Sequence, residues 1–149
     1  MKLGKLFQLL IIVAALIAAT FMPNKTTENL PRESYAFLLA DTKEKRNTGL
    51  SGRESLPADT IMLFSYEQDE RGSIWMKDMN FPIDVVWLNH NFAVIDWREN
   101  LSPDTYPKAF SPLSYCRYFI EANQGFIRDN QIRLGDRVTI DFNRQVLNF

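Results

Sequence analysis

Five side chains invite a chemical reading first: Arg53, Trp75, Lys77, Asp84 and Glu121. Trp75 and Lys77 stand in "SIWMKDMNFPIDVVWL" (Ser73–Leu88), where strand alternation puts Ile74 and Met76 on one face and Trp75 and Lys77 on the other. A tryptophan offers a stacking surface, and a lysine offers a contact to an anion or a hydroxyl. Arg53, on the Gly- and Pro-containing loop Ser51–Asp59, can bring a second positive group. With Asp84 these residues would line a cleft that the proline-rich segment Leu101–Ser114 closes. Asp84 and Glu121 also allow a different use, as the acid–base pair of a hydrolase of envelope sugars with Trp75 as the sugar platform. That chemistry needs two carboxyl groups roughly 5–9.5 Å apart across the scissile bond. A plain structural account competes with both. Lys77 and Asp84 would pair across a turn, Trp75 would pack on Phe81 or Pro82, and a cis bond before Pro82 would reverse the chain.

Other chemistries find little support. The chain has one histidine, His90, in a hairpin turn, and one cysteine, Cys116, in a strand. The usual zinc ligand sets are therefore excluded, and a Cys–His nucleophile would need an encounter between a strand residue and a turn residue. No Gly-x-Ser-x-Gly elbow, phosphate-binding loop or dinucleotide fingerprint is present. Met62, Met76 and Met79 are soft ligands that suit Cu(I), but strand methionines more often fill gaps in a core. Asp84, Asp96, Glu121 and Asp136 lie on separate segments without calcium-loop spacing. No metal site and no cofactor is expected.

The elements that must position these residues are short. Ser34–Ala40 reads as a strand, and a helix follows from Thr42 to about Thr48, with Asp41 and Glu44 at capping-box spacing and Gly49 able to end it. Thr60–Tyr66 is a strand-length apolar run, followed by the charged turn Glu67–Gly72. "DVVWL" and "FAVIDW" flank "NHN" as a hairpin. In "YCRYFIEA", Cys116, Tyr118, Ile120 and Ala122 face one way, and Arg117, Phe119 and Glu121 the other. "QGFIRDN" suits a helical turn or two, and Gly135-Asp136 suits a tight turn before a strand with Val138, Ile140 and Phe142 inward. The expected fold is mainly β (α+β): a small antiparallel, barrel-like or sandwich-like domain with one or two short helices.

Ahead of this domain, Lys2 and Lys5 precede an apolar run, Leu6 to Met22, in which only Gln8 and Thr20 are polar. Residues 1–22 read as a signal peptide or membrane anchor, an N-terminal hydrophobic helix that leaves the rest of the chain outside the cytoplasm. Residues 23–31 suit a linker, and residues 32–149 a single β-rich domain. The chain has 17 Lys+Arg and 18 Asp+Glu; Lys2, Lys5, Lys25 and Glu28 precede the domain, which keeps 14 against 17, a net charge of −3. That balance argues against nucleic acid as a partner. A single cysteine allows no internal disulfide, so packing alone must hold the fold.

The order of motifs resembles the domain of unknown function 192 family, also called uncharacterised protein family 0127. Gly49, Leu50, Arg53, Leu56 and Pro57 match its first block, and Met62, Leu63 and Phe64 its second. Trp75, Met76, Lys77, Pro82 and Asp84 match its third, and Glu121, Gly125, Gly135 and Asp136 its last. The chain departs from the pattern at Ile61, Asp78 and Asn123-Gln124, where the family tends to have Gly, Asn and small or proline residues. The resemblance implies a small β-rich extracytoplasmic domain with no established activity or cofactor. From the residues themselves, the leading expectation is an extracytoplasmic binding module with its cleft around the Trp-Met-Lys strand, taking a small ligand or an envelope protein. A purely structural or assembly role in the cell envelope and a carboxylate-based hydrolase are the alternatives. Any membrane contact would be made through the N-terminal segment.

Overall fold

The computed structural model describes residues 34–149, and the expected N-terminal hydrophobic helix lies outside them. Strand β1 (Ser34–Ala40) leads through helix α1 (Lys43–Thr48) to β2 (Thr60–Glu70), and β1 and β2 pair in parallel, Ala36 opposite Thr60 through Ala40 opposite Phe64. Parallel neighbours need a crossover of a dozen residues or more, and the segment between Ala40 and Thr60 provides it. Next come β3 (Ile74–Trp75), β4 (Ile83–Leu88), β5 (Val94–Leu101), a 3-10 turn (Pro103–Thr105), β6 (Ala109–Phe110) and β7 (Cys116–Asn123). Helix α2 (Phe126–Asp129), β8 (Thr139–Asp141) and β9 (Val146–Asn148) complete the domain.

Seven strands form one sheet in the order β5-β4-β7-β2-β1-β9-β8, and β3 and β6 form a separate ribbon. The sheet is mixed and open. The expected antiparallel barrel or sandwich is therefore corrected: the fold is mainly β with two short helices, but one parallel crossover breaks the antiparallel pattern and no barrel closes. Both faces of the sheet are covered. On one, Phe37, Leu63, Val86 and Ile120 pack with Phe126 and Ile127 of α2, with Ile132 and with Val138. On the other, Phe64, Val85, Trp87 and Phe119 pack with Leu50, Leu56 and the methionines Met62, Met76 and Met79. A strand covered on both faces is a near-continuous apolar run, and all six residues of β4 are buried, Asp84 being the one polar residue among them.

Several local expectations are refined. The cap of α1 is Thr42, whose hydroxyl accepts from the Lys45 N–H, while the Asp41 side chain pairs with Lys45 instead. The charged segment after Tyr66 continues as strand to Glu70, with a shift of register against β7. Phe142 ends 44% exposed rather than inward. The cis peptide among the described residues is Tyr106–Pro107, not Phe81–Pro82. The hairpin of β4 and β5 forms as the pattern predicts, its turn held by the Asn89 side chain, which accepts from the N–H groups of Asn91 and Ala93.

Candidate functional site

Asp84 is spent on the framework. It lies opposite Ala122 in the β4–β7 ladder and is 1% exposed. Its carboxylate accepts the backbone N–H of Asn100 at 2.8 Å, of Gly125 at 3.1 Å and of Ile127 at 3.0 Å. Lys77 forms no ion pair with it, so the pairing expected across the turn does not occur. The Lys77 ammonium instead sits 5.8 Å from the Trp75 ring, while the Ser51 hydroxyl donates to the Lys77 carbonyl. Arg53 is exposed on its loop, with its carbonyl accepting from the Asn80 side chain at 2.9 Å. Trp75 meets Tyr106 edge-on, ring centroids 6.0 Å apart, rather than Phe81 or Pro82, and remains half exposed.

Of the five candidate residues, the fold brings Trp75 and Glu121 to one cavity and leaves Arg53, Lys77 and Asp84 outside its lining. The cavity holds about 540 Å³, within the size range of small-ligand sites. It lies between α1 with the turn behind it, β2, β3 and β7. Its deep end is built from Phe64 and Phe119, which stack at 4.1 Å with an 11° angle between rings, and from Glu121. More exposed Lys43, Arg46 and Asn47 of α1, Tyr66 and Glu70 of β2, and Trp75 of β3 complete it nearer the surface. Arg46 is fixed: its guanidinium donates to the carbonyls of Asp41 and Ser65 and sits 5.0 Å from the Tyr66 ring. Lys43, Asn47 and Glu70 have side chains with no hydrogen-bond or ion-pair partner among the described residues.

Glu121 sets the character of the site. It stands in β7 opposite Met62 of β2 and Val85 of β4, in the middle of the sheet, and is 6% exposed. No donor or cation among the described residues pairs with its carboxyl group. No fully enclosed side-chain nitrogen or oxygen lacks a partner among the described residues, so the Glu121 oxygens keep their opening onto the cavity. Burial alone pushes this carboxyl up from 4.5 to about 8, because a low-dielectric site disfavours the charged form. At neutral pH it is a carboxylic acid with an O–H to donate. Burial also leads in raising the Tyr66 phenol to about 12, with the neighbouring Cys116, Glu70 and Glu121 adding to the rise and Arg46 opposing it. Gly49 keeps the deep end open. A Cβ there would come within 3.3 Å of the Phe64 ring and 3.6 Å of Glu121 Oε2, and its φ of +51° favours glycine.

The sequence pattern placed Phe119 and Glu121 on one strand face but gave no sign that α1 would bring Lys43 and Arg46 over it. The available signal was an acid two residues from a phenylalanine in a strand with few other polar residues. Met62, Met76 and Met79, the soft-ligand candidates, are all buried in the core on this side of the sheet. Among the described residues no three His, Cys, Asp or Glu side chains gather to hold a metal ion, and no helix is long and apolar enough to cross a membrane.

The chain is similar to two curated UPF0127 proteins of Thermococcus. It is 32% identical over 103 residues to that of Thermococcus gammatolerans (strain DSM 15229 / JCM 11827 / EJ3) and 30% identical over 101 residues to that of Thermococcus kodakarensis (strain ATCC BAA-918 / JCM 12380 / KOD1). These matches take in 69% and 68% of this chain and span 65% and 62% of the relatives' lengths. Among solved structures, the fold is similar to a candidate transcription regulator from Sinorhizobium meliloti 1021, with a TM-score of 0.65 and 25% identity over 68% of this chain and 78% of that one. It is also similar to a protein of unknown function from Novosphingobium aromaticivorans DSM 12444, with a TM-score of 0.66 and 21% identity over 69% and 73% of the two chains. The sequence profile of the family DUF192, "Uncharacterized ACR, COG1430", matches residues 24–140, most of the chain, and the protein belongs to that family.

Proposed function

We propose that this protein is an extracytoplasmic binding module that takes a small ligand into the cavity between α1, β2, β3 and β7. The observation that carries the reading is Glu121, a buried carboxyl group without a partner among the described residues and open to a cavity of ligand size. A carboxyl group held in a low-dielectric site without a protein partner is poorly solvated, and a ligand that accepts its proton in a hydrogen bond meets it where its oxygens open onto the cavity. Trp75 at the surface end supports the same reading, since a half-exposed indole beside a cavity is a ready stacking surface. The location outside the cytoplasm rests on the basic and apolar N-terminal pattern of residues 1–22. A net charge of −3 over residues 32–149 speaks against nucleic acid as the partner. The hydrolase alternative has less support, because the Asp84 carboxylate is occupied by three backbone amides and does not line the cavity.

A fragment screen on the labelled full-length chain, followed through the indole N–H signals of Trp75, Trp87 and Trp97, tests the reading. Fragments should shift Trp75 saturably while Trp87, buried on a bond to the Gly72 carbonyl, stays in place. Glu121→Leu should remain folded and lose those shifts. A chemically diverse collection that never moves Trp75, or fragments that bind Glu121→Leu as tightly as the parent, would favour a structural role for the whole motif set.

A further inference from the structure

We infer that the ligand of this cavity is an acidic sugar unit, a saccharide ring carrying a carboxylate; the inference rests on the cavity being a binding site. Four polar groups of the lining have no protein partner among the described residues: the Lys43 ammonium, the Asn47 amide and the Glu70 carboxylate at its exposed end, and the buried Glu121 carboxyl. They include donors and acceptors on three elements, α1, β2 and β7. An apolar ligand would leave the buried Glu121 carboxyl unsatisfied and make no use of the three exposed groups. A ring with hydroxyl groups, each both donor and acceptor, can meet Asn47, Glu70 and Glu121 together.

The aromatic groups fit the same ring. Trp75 and Tyr66 line the cavity nearer the surface, where an aromatic side chain can pack against the apolar C–H face of a sugar, while the stacked Phe64 and Phe119 make the deep end apolar beside Glu121. Charge then selects among sugars. The titratable groups among the residues that line the cavity are Lys43 and Arg46 of α1, Tyr66 and Glu70 of β2, and Glu121 itself, with Cys116 farther along the Glu121 strand. The facing residue of β4, Val85, does not titrate. With Tyr66, Cys116 and Glu121 neutral at pH 7, two cations face one carboxylate and the lining carries an excess positive charge. Arg46 is already bonded to two carbonyls, so of the two lining cations it is Lys43, without an ion-pair partner among the described residues, that would hold a ligand carboxylate. An ammonium sugar would meet Lys43 and Arg46 without compensation while Glu121 stays protonated.

Three probes that share a pyranose ring and differ in charge decide the point: glucuronic acid, glucose and glucosamine, each titrated into the labelled full-length chain at pH 6 and pH 9. At pH 6 glucuronate should shift the Trp75 indole saturably and bind about tenfold more tightly than glucose, the worth of one charge-assisted contact. Glucosamine should bind more weakly than glucose. Lys43→Glu should erase the preference for glucuronate without disturbing the Trp87 signal. At pH 9, where the Glu121 carboxylate forms and repels an anion, glucuronate should weaken. Glucose or glucosamine binding as tightly as glucuronate would overturn the acidic class and leave the binding reading intact. Silence from all three would overturn the sugar class, and the binding reading would then stand or fall on the fragment screen.

Discussion

At the scale of the residue, Glu121 works against the fold that holds it. A polar side chain buried without a partner costs about 1–3 kcal/mol by mutational measures, and residues kept at such a cost belong to sites more often than to cores. Glu121→Leu should therefore raise the stability of the chain by about 1–2 kcal/mol in urea denaturation. A core role would make the same change neutral or harmful. The pH dependence has a definite sign. The folded carboxyl titrates at about 8 and the unfolded one near 4.5, so between these values the folded chain holds a proton that the unfolded chain has released. Stability must fall as pH rises through that window, by up to about 1.4 kcal/mol per unit, and Glu121 adds no slope below or above it. Asp41 and Asp69, whose carboxyl groups are held low by hydrogen bonds from Lys45 and Arg117, act in the opposite sense in acid. Subtracting the Glu121→Leu curve from the parent curve removes their share. Parallel curves would mean that Glu121 titrates alike in the folded and unfolded chains, so that water or a partner offsets its burial. Glu121 itself was visible in the sequence, but its pairing with Asp84 was misleading. Asp84 sits opposite Ala122 while Glu121 sits opposite Val85, so the two acids fall on opposite faces of the sheet, and only the strand register shows it.

At the scale of the element, legibility followed locality. The β4–β5 hairpin, strand β7, helix α1 and the turn of α2 each depend on residues close in sequence, and each was readable there. The parallel pairing of β1 with β2 was not, because a short helix and loop between two strands do not fix which strands become neighbours or in which direction they run. That crossover is what carries Lys43 and Arg46 to the cavity that Glu121 lines, so the unread strand pairing and the unread half of the site have one cause. Asp84 shows how elements are then locked together. A single carboxylate ties Asn100 of β5 and the Gly125–Ile127 entry to α2 back to β4. Asp84→Ala strands three backbone N–H groups with little water to replace the acid, and should cost about 3 kcal/mol or more. Asp84→Asn keeps one acceptor oxygen and should cost less. The measurement is the denaturation midpoint of both variants. A loss below about 1 kcal/mol for Asp84→Ala would mean that the amides find other acceptors, and Asp84 would return as a candidate for ligand contact.

At the scale of the whole molecule, the question is what holds a domain proposed to work outside the cytoplasm without a disulfide. The sequence already answered that packing must do it, and the two core faces show how: a mixed sheet is covered on both sides, and its central strands have no exposed face to protect. Cys116 is enclosed within one of these faces. A Cβ on Gly72 would come 2.6 Å from its sulfur, and Trp87 bonds to the Gly72 carbonyl beside it. Burial leads in pushing its thiol up to about 11, so the thiolate needed for exchange is scarce at neutral pH as well as hidden. The folded full-length chain should therefore melt at the same temperature with and without dithiothreitol and form no crosslinked dimer on a non-reducing gel. Ellman's reagent should titrate Cys116 only at the rate at which the chain unfolds. Reaction of the native chain as fast as the urea-unfolded chain would show that the Gly72 contact opens readily, and the core on the cavity side would then be too loose to hold Glu121 away from water.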